Sequence, residues 1–135
     1  MKAIDTNVLV RFLVNDDPRQ SKVAKEIFRG AELARESLFV TSLALLETIW
    51  VLESAYGVDR EALVDTLGEL LLLPTIEFED RALIQATLAS ARAPVSLKAD
   101  LSDLLIGHRG RLAGCDATLT FDKQAAKLPE FELIN

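Results

Sequence analysis

Short apolar segments alternate with helical stretches along the whole chain, and no other feature limits its possible folds as strongly. Residues 2–5, 38–41, 75–78, 117–120 and 131–134 read as strands. Between them lie a short helix over 8–14 and a longer one that opens at Asp17-Pro18, with Val23, Ile27 and Phe28 on one apolar face. A helix over 42–56 stops at Gly57, and Asp59 caps the next, in which Leu63, Leu67, Leu70 and Leu71 recur at helical spacing. Residues 80–92 form a helix ended by Pro94, 100–112 one ended at Gly114, and 123–127 a short helical turn. Strands alternating with helices predict an α/β fold with a central, mainly parallel sheet of four to five strands, covered on both faces.

At 135 residues with no repeat and no linker, the chain reads as one domain over 1–135. The single cysteine, Cys115, excludes an internal disulfide framework, fits a reducing cytosol, and reads as buried packing beside apolar neighbours. Asp5 interrupts any apolar signal core near Met1, and the longest apolar run, 70–73, is far below the ~20 residues that span a bilayer. A soluble, cytoplasmic protein without a membrane partner is expected. The formal net charge of −6 argues against a broad basic surface that grips nucleic acid. It does not exclude a nuclease, because acids that bind divalent cations recruit phosphate through the ion. The same acidity suits a basic partner segment.

Among 21 acidic residues, neighbourhood separates a few from an ordinary solvated face such as that of Glu26, Glu32, Glu36, Glu61 and Glu69. Asp5 ends the first strand, where open α/β sheets bind ligands, although it could equally cap the following helix. Glu47 has Leu43, Ala44, Trp50 and Val51 three and four residues away, so it projects from an apolar face. A carboxylate buried there needs a cation, a hydrogen-bond network or a cavity; partial exposure or an arginine partner is the alternative. Asp103 lies among Leu101, Leu104, Leu105 and Ile106, with Asp100 on its face; Asp100 reads as the helix cap and Asp103 as the site residue. Asp122 follows the strand over 117–120 as Asp5 follows the first, again with a cap as the alternative. Two acids at strand ends and two on apolar helix faces could converge on one pocket. Carboxylates so gathered cannot all ionise without cations, and oxygen-only ligands select hard ions such as Mg2+ or Mn2+.

The motifs carrying these acids resemble those of PIN domains, most closely the VapC-type toxins of bacterial toxin–antitoxin pairs. Ile4-Asp5-Thr6-Asn7-Val8-Leu9 is similar to the opening motif, and Leu46-Glu47 falls where the family places its second acid. Asp100-Leu101-Ser102-Asp103-Leu104-Leu105-Ile106 resembles the third motif, whose second aspartate carries the function, with Ser102 where a small apolar residue is commoner. Gly114-Cys115-Asp116-Ala117-Thr118-Leu119-Thr120-Phe121-Asp122 resembles the fourth. The resemblance covers essentially the whole chain and implies a three-layer α/β/α PIN-like fold. It also implies metal-dependent hydrolysis of RNA, with Asp5, Glu47, Asp103 and Asp122 as catalytic and metal-holding residues. Thr6, Asn7, Asp100 and Thr120 would support them, or serve only as turn and cap residues.

The family further implies a cognate antitoxin whose C-terminal segment crosses the acidic pocket, and a homodimer. Apolar faces over 42–56 and 59–73 could form a groove for a partner helix or be ordinary core. A metal-free ribonuclease using two histidines is excluded by count, since His108 is the only one. A phosphohydrolase of the haloacid-dehalogenase type would need a second aspartate two residues after Asp5, where Asn7 stands. A catalytically inactive, partner-binding PIN-like domain is the non-enzyme alternative; it predicts a broken acidic set, and this set is intact.

Overall fold

Most helices open where the sequence supplies an oxygen acceptor, in a computed structural model that describes residues 1–135. Helix α1 (Thr6–Leu13) opens at Asp5, α2 (Pro18–Ala34) at Asp17 and α3 (Ser42–Ser54) at Thr41. Asp59 opens α4 (Arg60–Leu71) and Asp80 opens α5 (Arg81–Ser90). In each case the cap side chain accepts the backbone N–H three residues on, satisfying a donor that the helix cannot. Helix α6 (Leu101–Leu112) departs from this pattern. Asp100 occupies its cap position but makes no capping bond, and Glu53 from α3 accepts the Leu101 N–H at 3.0 Å.

The strands are short: β1 (Lys2–Ala3), β2 (Leu38–Val40), β3 (Ile76–Phe78), β4 (Thr118–Thr120) and β5 (Phe131–Leu133). All pairings are parallel, as βαβ alternation requires. Lys2 lies opposite Leu38, Leu38 opposite Ile76, and Thr118 opposite Phe131. The hydrogen bonds fall in two groups, a three-stranded sheet ordered β1-β2-β3 and a separate β4-β5 pair. Cover is uneven: Leu38, Val40, Ile76 and Phe78 are buried, whereas Glu77 on the edge strand β3 is exposed. The core packs Leu9 of α1 with Leu45 and Ile49 of α3, Leu63 and Leu67 of α4, Leu83 of α5, and Leu101 and Leu104 of α6.

Gly57 and Gly114 take φ of 60° and 90° beyond α3 and α6, the left-handed conformation that favours glycine at helix ends. Helix α2 ends instead on Arg35 at φ 56°, which no glycine announced. Its buried face also differs from expectation. Ser21, Ala24, Phe28 and Ala31 face inward, Phe28 stacks on Phe12 at 3.9 Å, and Val23 and Ile27 are exposed. The α1–α2 interface is close enough to accept small side chains and one ring, which turns the larger aliphatics outward. Cys115 is exposed in the turn after Gly114, so the packing role expected for it is corrected. No helix is long and apolar enough to cross a membrane.

Candidate active site

Asp5 stands directly after β1 and its Oδ1 accepts the Val8 N–H at 3.1 Å, so the cap is real. The other carboxylate oxygen remains available, and the residue is exposed. Glu47 on α3 borders the same hollow, together with Thr6, Thr41 and Ala44. Parallel pairing of β1 with β2 brings these segments together, because each strand runs into its helix at the same end of the sheet. The burial argument for Glu47 is reversed: its apolar neighbours Leu43 (80% exposed) and Trp50 (59% exposed) face solvent, and Glu47 is itself exposed. Thr6 is buried in the first turn of α1, while Asn7 is exposed and borders a second hollow beside Asp5.

Asp103 lies in the first turn of α6 and is half-buried. Burial, then the like charges of Asp100 and Asp122, push its carboxyl above the usual aspartate range. Asp122 follows β4, and its Oδ1 accepts the N–H groups of Gln124 at 2.8 Å and Ala125 at 3.4 Å. The Thr120 hydroxyl accepts the Asp122 N–H at 2.9 Å. Asp122 and Thr120 thus perform the turn chemistry that was their local alternative, with one Asp122 oxygen still uncommitted. Asp100 differs from its expected cap role, since Glu53 takes the Leu101 N–H and leaves the Asp100 charge to act on Asp103.

Two neighbourhoods result. Asp5 and Glu47 share one hollow, and Asp103 lies close enough to Asp100 and Asp122 to feel their charge. Glu47 also borders a further hollow with Leu46, Trp50, Ile106 and Ser102, the residue beside Asp103. No three carboxylates stand close enough together to hold a single ion as a group. The donor chemistry nevertheless suits a hard divalent cation. All the groups are carboxylates, and the mutual repulsion at Asp103 is a cost that a cation relieves.

Glu53 and Arg60 escaped the sequence reading. Glu53 is pushed above the usual glutamate range by burial and then by Asp100, while its bond from Leu101 and the Arg60 charge oppose the shift. Its Oε2 ties α3, which carries Glu47, to the start of α6, which carries Asp103. Arg60 donates to the carbonyls of Ala91 (2.9 Å), Ser96 (3.1 Å) and Ala99, and so shapes the connection leading into α6. Both contacts join residues more than 30 positions apart, so no local pattern announces them. His108 is no nucleophile-activating base: its Nε2 meets Ser90 Oγ at 2.7 Å and lies 3.9 Å from Glu130. A relay needs the two partners on different ring nitrogens.

Compared with curated proteins, the chain matches none. The profile of the PIN domain matches residues 2–130, so acids at the ends of β1 and β4 and on α3 and α6 sit within one recognised unit, and the chain belongs to the PIN domain family.

Proposed function

We propose that the chain is a metal-dependent endoribonuclease that hydrolyses RNA phosphodiester bonds and acts as the toxin of a VapC-type toxin–antitoxin pair. PIN domains are generally nucleases, and PIN nucleases generally use divalent metals. The observation that carries the reading for this chain is Asp103, half-buried with Asp100 and Asp122 charging its surroundings, in a PIN domain whose other acids end β1 and line α3. Like charges around a half-buried carboxylate raise the cost of its ionisation, and a bound cation relieves that cost.

Asp5, Glu47 and Asp103 would hold one or two Mg2+ or Mn2+ ions, directly or through water, and Asp122 would complete the site. When bound, such an ion lowers the pKa of water and stabilises charge on the phosphate and the leaving oxygen. Asp122, fixed by the Gln124 and Ala125 N–H groups, keeps one oxygen to orient the attacking water. Asn7, exposed beside Asp5, can donate to a phosphate oxygen. Water rather than a 2′-hydroxyl attacks, so the choice of RNA over DNA rests on the family.

The outward apolar face of Leu43, Trp50 and Ile106 beside Glu47 supports a protein partner, for which a basic amphipathic antitoxin segment is complementary in both respects. The same face supports a homodimer. Helix α4 offers no such surface, since Leu63, Val64, Leu67 and Leu70 are core.

Incubation of antitoxin-free protein with a structured RNA pool in Mn2+, Mg2+ or EDTA tests the reading. Discrete cleavage is expected with either ion and none with EDTA. Asp5→Asn keeps the cap, because asparagine caps as well as aspartate, and is expected to lose the activity. Absence of both cleavage and metal binding would overturn the reading in favour of an inactive, partner-binding domain.

A further inference from the structure

The chain is acidic overall, with a formal net charge of −6, yet its positive charge is not evenly spread. Within the first twelve residues of α2, Arg19, Lys22, Lys25 and Arg29 face a single acid, Glu26. All four cations are exposed, and none makes an ion pair or a side-chain hydrogen bond. Arg11, Arg92 and Arg109 pair with Asp16, Asp65 and Asp80, and the remaining unpaired cations, such as Arg35, Lys98 and Lys127, are scattered rather than aligned on one helix face. Lys22, Lys25 and Arg29 recur at helical spacing and border one hollow with Asn15 and Glu26. Arg19 borders the hollow on the other flank of α2, which also contains Asp5 and Asn7. At 1.5 Å of rise per residue, the steps from Lys22 to Lys25 and Lys25 to Arg29 are about 4.5 and 6 Å along the axis, of the same order as successive phosphates on a strand.

We infer that this cationic face of α2 is the docking surface for the sugar–phosphate backbone of the substrate strand, with Arg19 as the link to Asp5. The inference rests on the ribonuclease reading. Charge complementarity commits it to a polyanion. Unpaired cations on a chain of opposite net charge attract phosphate without competing internal partners, and they give the acidic site the local affinity that its own carboxylates oppose. Docking of this kind positions the strand and reads no base.

The test measures binding of a fluorescently labelled single-stranded RNA to Asp5→Asn protein in Mg2+ across a range of salt. Lys22→Gln/Lys25→Gln is compared with Arg81→Gln/Arg92→Gln, which changes net charge equally at positions on and just after α5. Each phosphate contact contributes about 0.7 to the slope of log affinity against log salt for single strands, so the α2 pair is expected to lower the slope by roughly 1.4. At low salt its affinity should fall about tenfold while the α5 pair stays near the parent. Equal losses in both pairs would reduce the effect to net charge and overturn the inference. So would unchanged RNA binding accompanied by lost binding of polyglutamate, which would assign the face to an acidic protein. If the otherwise unaltered enzyme cleaves RNA and its α2 pair cleaves with the same KM, the docking surface fails alone. Absence of both cleavage and RNA binding in the parent chain would overturn the ribonuclease reading together with it.

Discussion

The three-stranded sheet and the β4-β5 pair hold their acids by different means. Around β1, β2 and β3 the frame is apolar: Leu9, Leu45, Ile49 and Leu63 are essentially without solvent contact, and Asp5 and Glu47 stand on its rim. The β4-β5 pair is thinly covered, with Leu119 62% exposed and Leu133 40% exposed. There the Asp122 carboxylate accepts the Gln124 and Ala125 N–H groups and its own N–H donates to the Thr120 hydroxyl, whereas Asp103 rides on α6 between the core residues Leu101 and Leu104. Asp5, Glu47 and Asp103 are therefore carried by elements anchored in one core, and Asp122 by the hydrogen bonds of a thinly covered turn.

If that division matters to chemistry, the acids should not be equivalent. Asp5→Asn and Asp103→Asn are expected to lower RNA cleavage by about a hundredfold or more, as loss of a charge-stabilising interaction worth several kcal/mol would. Asp122→Asn should cost less, because Asp122 completes the site without being one of the acids that hold the ion, and asparagine keeps its turn. Equal losses at all three, in initial-rate measurements at saturating metal, would erase the distinction.

Stability provides the next contrast. Leu9→Ala or Leu63→Ala is expected to cost 2–5 kcal/mol in denaturant unfolding, roughly the range for a fully buried leucine. Leu133→Ala should stay within about 0.5 kcal/mol, as for an exposed position. The glycines sharpen the same comparison. A Cβ on Gly107 of α6 would stand 2.7 Å from the Phe131 ring and 2.9 Å from Glu130 Cβ, at the seam with β5. Gly107→Ala should therefore destabilise by roughly 1–3 kcal/mol. Gly68 of α4 has nothing within 4 Å, and Gly68→Ala should stabilise by about 0.5–1 kcal/mol.

The smallest effect concerns pH. Asp103 titrates above the ordinary aspartate value in the fold, first because of burial and then because of Asp100 and Asp122. Its ionisation thus opposes folding. Its contribution is fully present below the unfolded-state pKa and is lost as pH rises through the raised folded value. In EDTA, Asp103→Asn should melt a few degrees higher at most than the parent at pH 7, with the difference shrinking below the normal carboxylate range. A lower melting temperature at pH 7 would contradict the charge argument.

Local chemistry was legible in the sequence. Caps at Asp17 and Asp59 and turns at Gly57 and Gly114 depend on neighbours a few residues away, and the structure has them. The five strand segments and their parallel sense were equally readable; their division into two hydrogen-bonded groups was not, because pairing is decided by long-range packing. Caps alone could not distinguish Asp5 from Asp80, which also caps a helix just beyond a strand. The structure separates them by partner: Arg109 lies 3.7 Å from Asp80, and no cation pairs with Asp5. Periodicity placed Val23 and Ile27 inward because it counts apolar residues without knowing how close the facing helix comes. The bond by which Glu53 takes the Leu101 N–H in place of Asp100 spans 48 residues and left no local mark.

Arg60 holds the stretch before α6 through backbone carbonyls alone. The identities of the exposed residues there, including Val95, Leu97 and Lys98, are consequently uncoupled from its path. Substitutions among them can repaint the surface beside Asp103 while the approach to α6 keeps its course. Lysine in place of Arg60 could not, since an ammonium lacks the planar fork that reaches separated carbonyls at once. Natural variation in this connection should therefore be wide in side-chain character and narrow in length.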